Sequence, residues 1–543
     1  MKSPIKVVDV FAGPGGLGEG FSALTHGSGE DCWRPFKITI SAEMDPVARE
    51  TLRLRAFYRQ FPDAAHVPDE YFDYLANPTT EAFEILSERF SEEWAEANGE
   101  ALQLELGNED DDAKLYRLLD ARVEENSDWI LVGGPPCQAY SLVGRARNQG
   151  KDDYVPEEDH RHLLYREYLK IIQKKRPAVF VMENVKGLLS STLDGAPIFD
   201  RILEDLSDPD LALEHSPSAE GQGYRLYSML TGECYSRDKT LARIDPRSFI
   251  LRAEEYGVPQ RRHRIFILGV REDIEPDFDL ILPKSEMPAP SLRAVIGDLP
   301  PLRSGLSRRG RTSPDTYELW SREVINQAEL VATALHETGS DTLFEANFDE
   351  IREVLNEAAN SLRTRNEPLE RRHQSERTLH PEMDPDVTRT LVEWLTNDRL
   401  RSVANHETRA HIAKDFGRYL FCAAWASVEK YSPKSDEFPL GLAPAHKNWS
   451  TGKFADRFRV QVAEDTATTI TSHISKDGHY FIHYDPAQCR SLTVREAARL
   501  QTFPDDYFFM GPRTQQYHQV GNAVPPFLAK QIAGLVLQIV SKS

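Results

Sequence analysis

A chain of 543 residues is too long for one hydrophobic core, which implies two domains. With 40% hydrophobic and 28% charged residues and no run of about 18 apolar side chains, the composition is globular and speaks against a membrane span. The formal net charge of -21 weighs against a nucleic-acid partner without excluding one, because the acids concentrate between Asp69 and Asp128 and exposed charges are screened beyond roughly 8 Å.

Val7 to Phe11 is apolar and β-prone, Gly13-Pro14-Gly15-Gly16 breaks it, and Leu17 onward suits a helix. This start lacks the long apolar core of a signal peptide. Ile38 to Ala42 is a second strand, ending at Glu43. Residues 69–126 read as polar, acid-rich, solvated helices, part of an insertion over about 62–126 rather than a βα unit of the core. Trp129 to Val132 is the next strand, ended by Gly133-Gly134-Pro135-Pro136. A helix over 163–175 places Leu164, Tyr168, Ile171 and Ile172 at helical spacing. Strands over 178–182, running into Glu183-Asn184, and over 264–269 follow.

Strands alternating with helices imply an α/β fold, a doubly wound Rossmann-like sheet whose ligands lie beyond the carboxyl ends of the strands. Gly13, Glu43, the 133–137 turn and Glu183-Asn184 all fall at such ends. The first domain thus covers 1–285. Over 286–487 the alternation gives way to charged helices rich in Arg, Pro and Ser, a separate mixed domain. Over 488–543 the pattern recovers in a C-terminal segment that returns to the first domain. It holds a helix over 493–501 opened by a Thr493/Glu496 capping box, then an apolar closing helix over 525–540. The cysteines, at 32, 137, 234, 422 and 489, are scattered without a CxxC pair, which argues against disulfides and structural zinc and for a reducing cytoplasm.

Gly13-Pro14-Gly15-Gly16-Leu17-Gly18 fits GxGxxG after a strand, and Glu43 stands 25 residues beyond Gly18. Such glycines admit a ligand to the backbone and the acid grips ribose hydroxyls. On this evidence a nicotinamide cofactor, S-adenosylmethionine and a purely structural turn all remain open. Gly133-Gly134-Pro135-Pro136-Cys137-Gln138 is sharper: two prolines stiffen a turn that holds a thiol at a strand end, and a thiolate is the natural nucleophile for an electron-poor ring. Glu183, at the end of a buried strand, is a carboxyl whose pKa burial raises, able to donate to a ring nitrogen, with helix capping as the plainer alternative. In Gln260-Arg261-Arg262-His263-Arg264, alternation sends Arg262 and Arg264 to one face, facing a phosphate, a base oxygen or Glu183.

Taken in order, these segments resemble the DNA cytosine-5 methyltransferase family. Asp9-Val10-Phe11-Ala12-Gly13-Pro14-Gly15-Gly16 resembles its cofactor loop, Pro135-Pro136-Cys137-Gln138 its nucleophile motif, Glu183-Asn184-Val185 its acid motif and Gln260 to Arg264 its arginine motif. Arg495 to Gln501 with Phe503-Pro504, and Gln519 to Pro525, resemble its late motifs. The resemblance covers about 5–60, 127–285 and 488–543. It implies S-adenosylmethionine as cofactor, lined by Phe11, Ala12, Gly13, Pro14, Gly15, Gly16 and Pro136. Glu43 would meet the ribose hydroxyls, Met44 the adenine, and Leu164, Asn522 and Ala523 would complete the pocket. The family's acidic adenine contact has no identifiable counterpart in the acid-rich insertion.

The resemblance further implies that Cys137 attacks a cytosine flipped out of duplex DNA while Glu183, with Arg262 and Arg264, steadies the ring, and that carbon 5 is methylated. Gln138, Ser141, Arg145 and Arg147, in the 138–153 segment, would close over the base. The 286–487 domain would select the DNA sequence, with 446–459 and 466–473 as contact stretches. Implied with these are a cytoplasmic enzyme without metal, double-stranded DNA as partner, and a separately acting restriction endonuclease as companion. Three alternatives stand: a tRNA cytosine-5 methyltransferase, a nicotinamide-dependent oxidoreductase, and a non-catalytic DNA-binding relic.

Overall fold

The computed structural model describes residues 3–27, 31–123, 127–136, 164–193, 196–214, 216–219, 221–237, 244–307, 315–338, 347–372, 387–443 and 457–541. They form two compact units. One comprises Met1–Val67, Glu84–Pro288 and Ala523–Ser543, the other Pro68–Phe83 and Ala289–Asn522.

The first unit is built on a nine-stranded sheet of β1 (Ile5–Val10), β2 (Phe36–Glu43), β3 (Ala101–Gln103), β4 (Ile130–Gly133), β5 (Val179–Val185), β6 (Tyr224–Tyr227), β7 (Cys234–Tyr235), β8 (Ile250–Arg252) and β9 (His263–Arg271). Its order is β3-β2-β1-β4-β5-β9-β6-β7, with β8 paired to β9. The strands β1 to β5 are mutually parallel, and β9 enters antiparallel between β5 and β6.

Both faces are buried, so the strands read as continuous apolar runs whose side chains divide by period two. Val7, Ile130, Val132, Val179, Val181, Phe266 and Leu268 enter one core layer. Val8, Val10, Leu131, Phe180, Met182, Ile265 and Ile267 enter the other. In β2 the parity changes midway: Phe36 and Ile38 lie in the first layer, Ile40 and Ala42 in the second. The register explains this, since Val7 pairs with Ile38 and Val8 with Ile40, leaving Thr39 as an extra residue.

Around the sheet lie α1 (Gly16–Ser22), α2 (Pro46–Tyr58), α3 (Ser91–Glu100), α4 (Glu109–Arg122) and α5 (Leu164–Lys175). The second unit contributes α6 (Tyr317–Thr338), α7 (Phe348–Thr364), α8 (Ala413–Glu429) and α9 (Val494–Leu500), and the first closes with α10 (Pro526–Val540). In α10, Leu528, Ala529, Ile532, Ala533 and Val536 are buried in the first core layer against α1. The approach is close enough to need glycine: a Cβ on Gly16 would lie 2.2 Å from the Val524 carbonyl oxygen, and one on Gly20 2.4 Å from the Ala529 Cβ.

In the second unit, Trp320, Leu355, Phe416, Leu420 and Trp425 of α6, α7 and α8 share one core. The predicted capping box opens α9: Thr493 accepts from the Glu496 N–H and Glu496 from the Thr493 N–H. This helix packs polar side chains inward. Arg499 forks onto Asp505 at 2.7 and 2.8 Å, Arg490 onto Glu496 at 2.6 and 2.7 Å, and Arg495 donates to the Ala404, Pro504 and Tyr507 carbonyls. Such buried guanidinium groups persist only when each is met by fixed acceptors.

Two expectations change. The 62–126 stretch is not simply an insertion of solvated helices. Its residues 101–103 form the edge strand β3, followed by α4, because Leu102, Leu104 and Leu106 alternate into the second core layer. Its residues 68–83 cluster with the second unit, where Arg399 pairs with Asp69 and Arg401 with Asp73, each at 2.7 Å. The C-terminal segment does not return as a whole either: 488–522 is held in the second unit by α9's ion pairs, and only Ala523 onward joins the first.

Replacing Gly20 by Val forces the α1–α10 contact apart. We expect a loss of roughly 1–3 kcal/mol, as for overpacked cores, read as a lower thermal midpoint.

Candidate functional site

The parallel strands β1, β2, β4 and β5 bring their carboxyl ends to one edge of the sheet. After β1 the chain turns sharply, with Phe11, Gly13 and Gly15 at φ of 55°, 57° and 90°. This left-handed geometry is ordinary for glycine and rare for phenylalanine. Gly15 caps α1, and its N–H donates to the Ala12 carbonyl at 2.9 Å. Glu43 holds the turn from the neighbouring strand: one carboxylate oxygen accepts from the Gly13 N–H at 2.8 Å, the other from the Asp45 N–H at 2.9 Å. Burial raises the Glu43 pKa against these donors. Beyond Gly13, a Cβ would meet nothing within 4 Å, so the backbone there faces open space.

Asp9 lies directly beneath this turn. It is buried, accepts from the Gly18 N–H at 3.2 Å through Oδ2, and leaves Oδ1 without a hydrogen-bond partner among the described residues. Burial pushes its pKa up to about 7, against the Gly18 N–H and the field of Arg59.

Beside the end of β2 runs a groove of about 600 Å³, lined by Met44, Arg49, Asn98, Gln103, Glu105 and Lys114. Met44 is 57% exposed. The Glu105 carboxylate has no partner among the described residues, while its backbone N–H donates to Asp111 at 2.8 Å. Sequence reasoning missed this acid; the alternation Leu102, Leu104, Leu106 was the signal that placed it just past a strand. Leu164 opens α5 next to Gly107, whose Cβ would lie 3.9 Å from it.

The second cluster sits at the ends of β4 and β5. Gly133 closes against β1, where a Cβ would stand 2.5 Å from the Val10 carbonyl oxygen, and a Cβ on Gly134 would stand 3.0 Å from a Glu183 oxygen. Glu183 pairs with Arg264 at 3.1 Å. The antiparallel register makes this possible: Phe266 lies opposite Glu183, so Arg264, two residues back on the same face, reaches it diagonally. Arg262 is 2% exposed, and its charge acts on both Glu183 and Arg264. Burial raises the Glu183 pKa, with Arg264 and then Arg262 opposing. Asn184, the acid's neighbour, donates from Nδ2 to the Pro135 carbonyl at 3.0 Å and so ties β5 to the turn before Cys137.

The structure thus gathers Phe11 to Gly16 with Glu43, and Gly134 and Pro135 of the proline turn with Glu183, Asn184, Arg262 and Arg264, along one sheet edge, with Pro136 next in the chain. Ala523 is buried in the first unit, and the following Val524 packs on Gly16. Asn522 ends the preceding helix, Arg513–Asn522, in the second unit. Cys137, Gln138, Ser141, Arg145 and Arg147 lie outside the described residues, as does most of the 446–459 stretch.

Comparison with known proteins identifies the family. Residues 108–215 and 245–538 match the family model described as C-5 cytosine-specific DNA methylase. A Type II methyltransferase of Bacillus paralicheniformis, M.Bpa9945I, is 30% identical over 98% of this chain and 99% of its own. The chain belongs to the C-5 cytosine-specific DNA methylase family. It is therefore a DNA (cytosine-5)-methyltransferase, which sets aside the tRNA, nicotinamide and non-catalytic alternatives. Similarity extends to the Type II methyltransferase M.AgeI of Thalassovita gelatinovora, 26% identical over 76% of this chain and 83% of its own. It reaches as well the DNA (cytosine-5-)-methyltransferase M.ApeKI of Aeropyrum pernix, 25% identical over 76% and 81%. The family match begins at residue 108, so in this methylase the glycine turn and Glu43 lie ahead of it.

Asp9 gives this edge a measurable pH signature. Its ordinary value is 3.8, so between about pH 4 and 7 the folded methylase holds a proton there that the unfolded chain has lost. That contribution is full below pH 4 and falls by about 1.4 kcal/mol per pH unit as pH rises to 7. In urea titrations from pH 4 to 8, Asp9→Asn should therefore gain on the wild type up to about pH 7 and then hold level. A difference that stays flat throughout counts against a protonated Asp9.

Proposed function

We propose that the methylase joins Cys137 to carbon 6 of a cytosine extruded from duplex DNA, with Glu183 as the acid that engages ring nitrogen 3 and S-adenosylmethionine as methyl donor. What carries this reading is Glu183: a largely buried carboxyl at a strand end, its side chain 13% exposed, braced by Arg264, whose neighbour Asn184 is bonded to the turn that leads directly into Cys137.

The chemistry follows from cytosine's electronics. Carbon 5 is a weak nucleophile until a nucleophile adds at carbon 6. The Cys137 thiolate forms the carbon 6–sulfur bond, the ring's electron pair moves toward carbon 5, and Glu183 stabilises the ring by a proton or hydrogen bond at nitrogen 3. Burial favours the protonated carboxyl, the form that can donate. Arg264 and Arg262 hold the carboxyl in place and stop its pKa from rising further. After substitution at carbon 5, a base takes the carbon-5 proton, the carbon–sulfur bond breaks, and the thiolate is regenerated. Gln138, Ser141, Arg145 and Arg147 contact the base and its strand from the segment after Cys137.

The residues at the sheet edge fit the cofactor. S-adenosylmethionine supplies an electrophilic methyl group on a sulfonium. The open backbone of the 11–16 turn admits the chain of the ligand, Glu43 has lone pairs left for ribose hydroxyls, and the exposed Met44 offers an apolar face to adenine. Leu164, Pro136 and Ala523 complete the set within the first unit. Glu105, whose carboxylate has no partner among the described residues, lines the same groove and would accept a hydrogen bond from the adenine amino group, as the acidic contact the sequence hid. The Type II names of the relatives support a place in restriction-modification; with it go a separately acting endonuclease, a cytoplasmic setting and the 286–487 domain as the reader of the DNA sequence.

Duplex oligonucleotides containing 5-fluorocytosine, with the methyl donor, should form a covalent adduct mapped to Cys137, and Cys137→Ser should abolish it while still binding S-adenosylhomocysteine. An adduct that persists in the serine variant would sink the nucleophile assignment. Glu183→Gln should slow turnover by a factor on the order of 100, as general-acid loss does. Glu105→Ala should weaken S-adenosylhomocysteine binding about tenfold or more, the worth of one hydrogen bond to a charged group. Calorimetric titration reads it, and an unchanged affinity removes Glu105 from the pocket.

A further inference from the structure

Beneath the cofactor edge lies a chain of buried charges that catalysis does not use. Glu19, on α1 just past the glycine turn, is forked by Arg55 of α2 at 2.6 and 2.9 Å. Arg59, which caps α2, stands 3.6 Å from Glu19 and forms an ion pair with Glu100. The four side chains are 3–8% exposed. Burial would raise the Glu19 pKa, but Arg55 and Arg59 hold it below the ordinary carboxylate value. The field of Arg59 also reaches Asp9, under the glycine turn.

Ion pairs this deep seldom exist for stability, since taking both charges out of water offsets their attraction; apolar residues of equal size often do as well or better. Their worth lies in geometry, and here the geometry is specific. Glu100 is the last residue of α3 and runs straight into β3. That strand has three residues and pairs on one side only, with β2. So short an edge strand is weakly fixed by its own ladder, yet Gln103 and Glu105, at and just past its end, wall the groove beside Met44. Arg59 is the cation that reaches both the helix behind the glycine turn and the residue that anchors this strand.

We propose that Arg59 is a positioning residue for the cofactor: by bridging Glu19 and Glu100 it sets the edge strand β3 against the glycine turn, and so fixes the distance between the two walls that grip the ribose and adenine. The inference rests on the S-adenosylmethionine reading of that crevice.

The test replaces the bridge by apolar residues of similar size, Arg59→Met with Glu100→Met, leaving Glu19 paired to Arg55. The thermal midpoint should stay within a few degrees of wild type. The Kd for S-adenosylhomocysteine, by calorimetric titration, should rise about tenfold or more, the penalty of a remote misplacement. KM for S-adenosylmethionine should rise in step while kcat at saturation stays within about twofold, a split that general destabilisation would not produce. Arg59→Lys is the second variant, keeping the charge but losing the planar fork; it should fold normally and weaken binding by roughly threefold to tenfold. Unchanged affinity in either folded variant overturns the role of Arg59. Wild-type protein that takes up no S-adenosylhomocysteine overturns the cofactor reading itself, and this inference with it.

Discussion

Glu183 is held largely out of water, paired with Arg264 and within the field of Arg262, and the chemical edge of the molecule depends on that arrangement. Burial alone favours the protonated carboxyl, while full pairing with a cation favours the charged form, which has nothing to donate. Here burial raises the pKa and Arg264, with Arg262 behind it, pulls it back. The balance is a product of topology. Because β9 runs antiparallel between β5 and β6, its first turn of sequence lies beside the last residues of β5, and a strand entrance rich in arginine meets a strand exit bearing an acid. In an all-parallel sheet those two ends would be on opposite edges.

The same edge shows why backbone groups matter as much as side chains. Glu43 and Asp9 each accept a backbone N–H from the glycine turn or the helix behind it, and Asn184 donates to a backbone carbonyl of the proline turn. These bonds hold two turns that have no regular secondary structure to hold them. The turns are rich in glycine and proline, which removes side chains and donors from exactly those places where a ligand or a thiol needs access, so neighbouring strands must supply the missing constraint.

Much of this was legible in the sequence because buried parallel strands write themselves plainly. Val7 to Val10, Ile130 to Val132 and Val179 to Met182 are apolar runs too short for helices, each ended by glycine or acid, and the Thr493/Glu496 box announced its helix by spacing alone. What was hidden is equally physical. β3 has three residues among acid-rich helices, so its alternating leucines were outweighed by the charge around them. The division at Asn522 was hidden because α9 looks like an ordinary helix, while its allegiance is set by arginines whose acceptors, Ala404 and Asp298 among them, stand some 90 and 200 residues earlier in the chain. Periodicity carries no information about partners that distant. The bulge at Thr39, which turns β2 over, likewise exists only in the register with β1.

The net charge of -21 looked like an obstacle to DNA and proves to be a poor guide, because so many charges here have internal work. Arg262, Arg490, Arg495 and Arg499 are all but inaccessible to solvent. On the acidic side, the first turn of α4 carries Glu109, Asp110, Asp111 and Asp112, favourably placed against the helix dipole, and Asp111 and Asp112 accept the backbone N–H groups of Glu105 and Gly107. That patch therefore shapes the groove beside Met44 rather than simply coating the surface. A sum over the sequence counts such residues as if they all faced a partner, whereas DNA responds only to the charges near its phosphates, within a screening length. For a protein with this many buried ion pairs, the sign of the total says little about the sign of the face that binds.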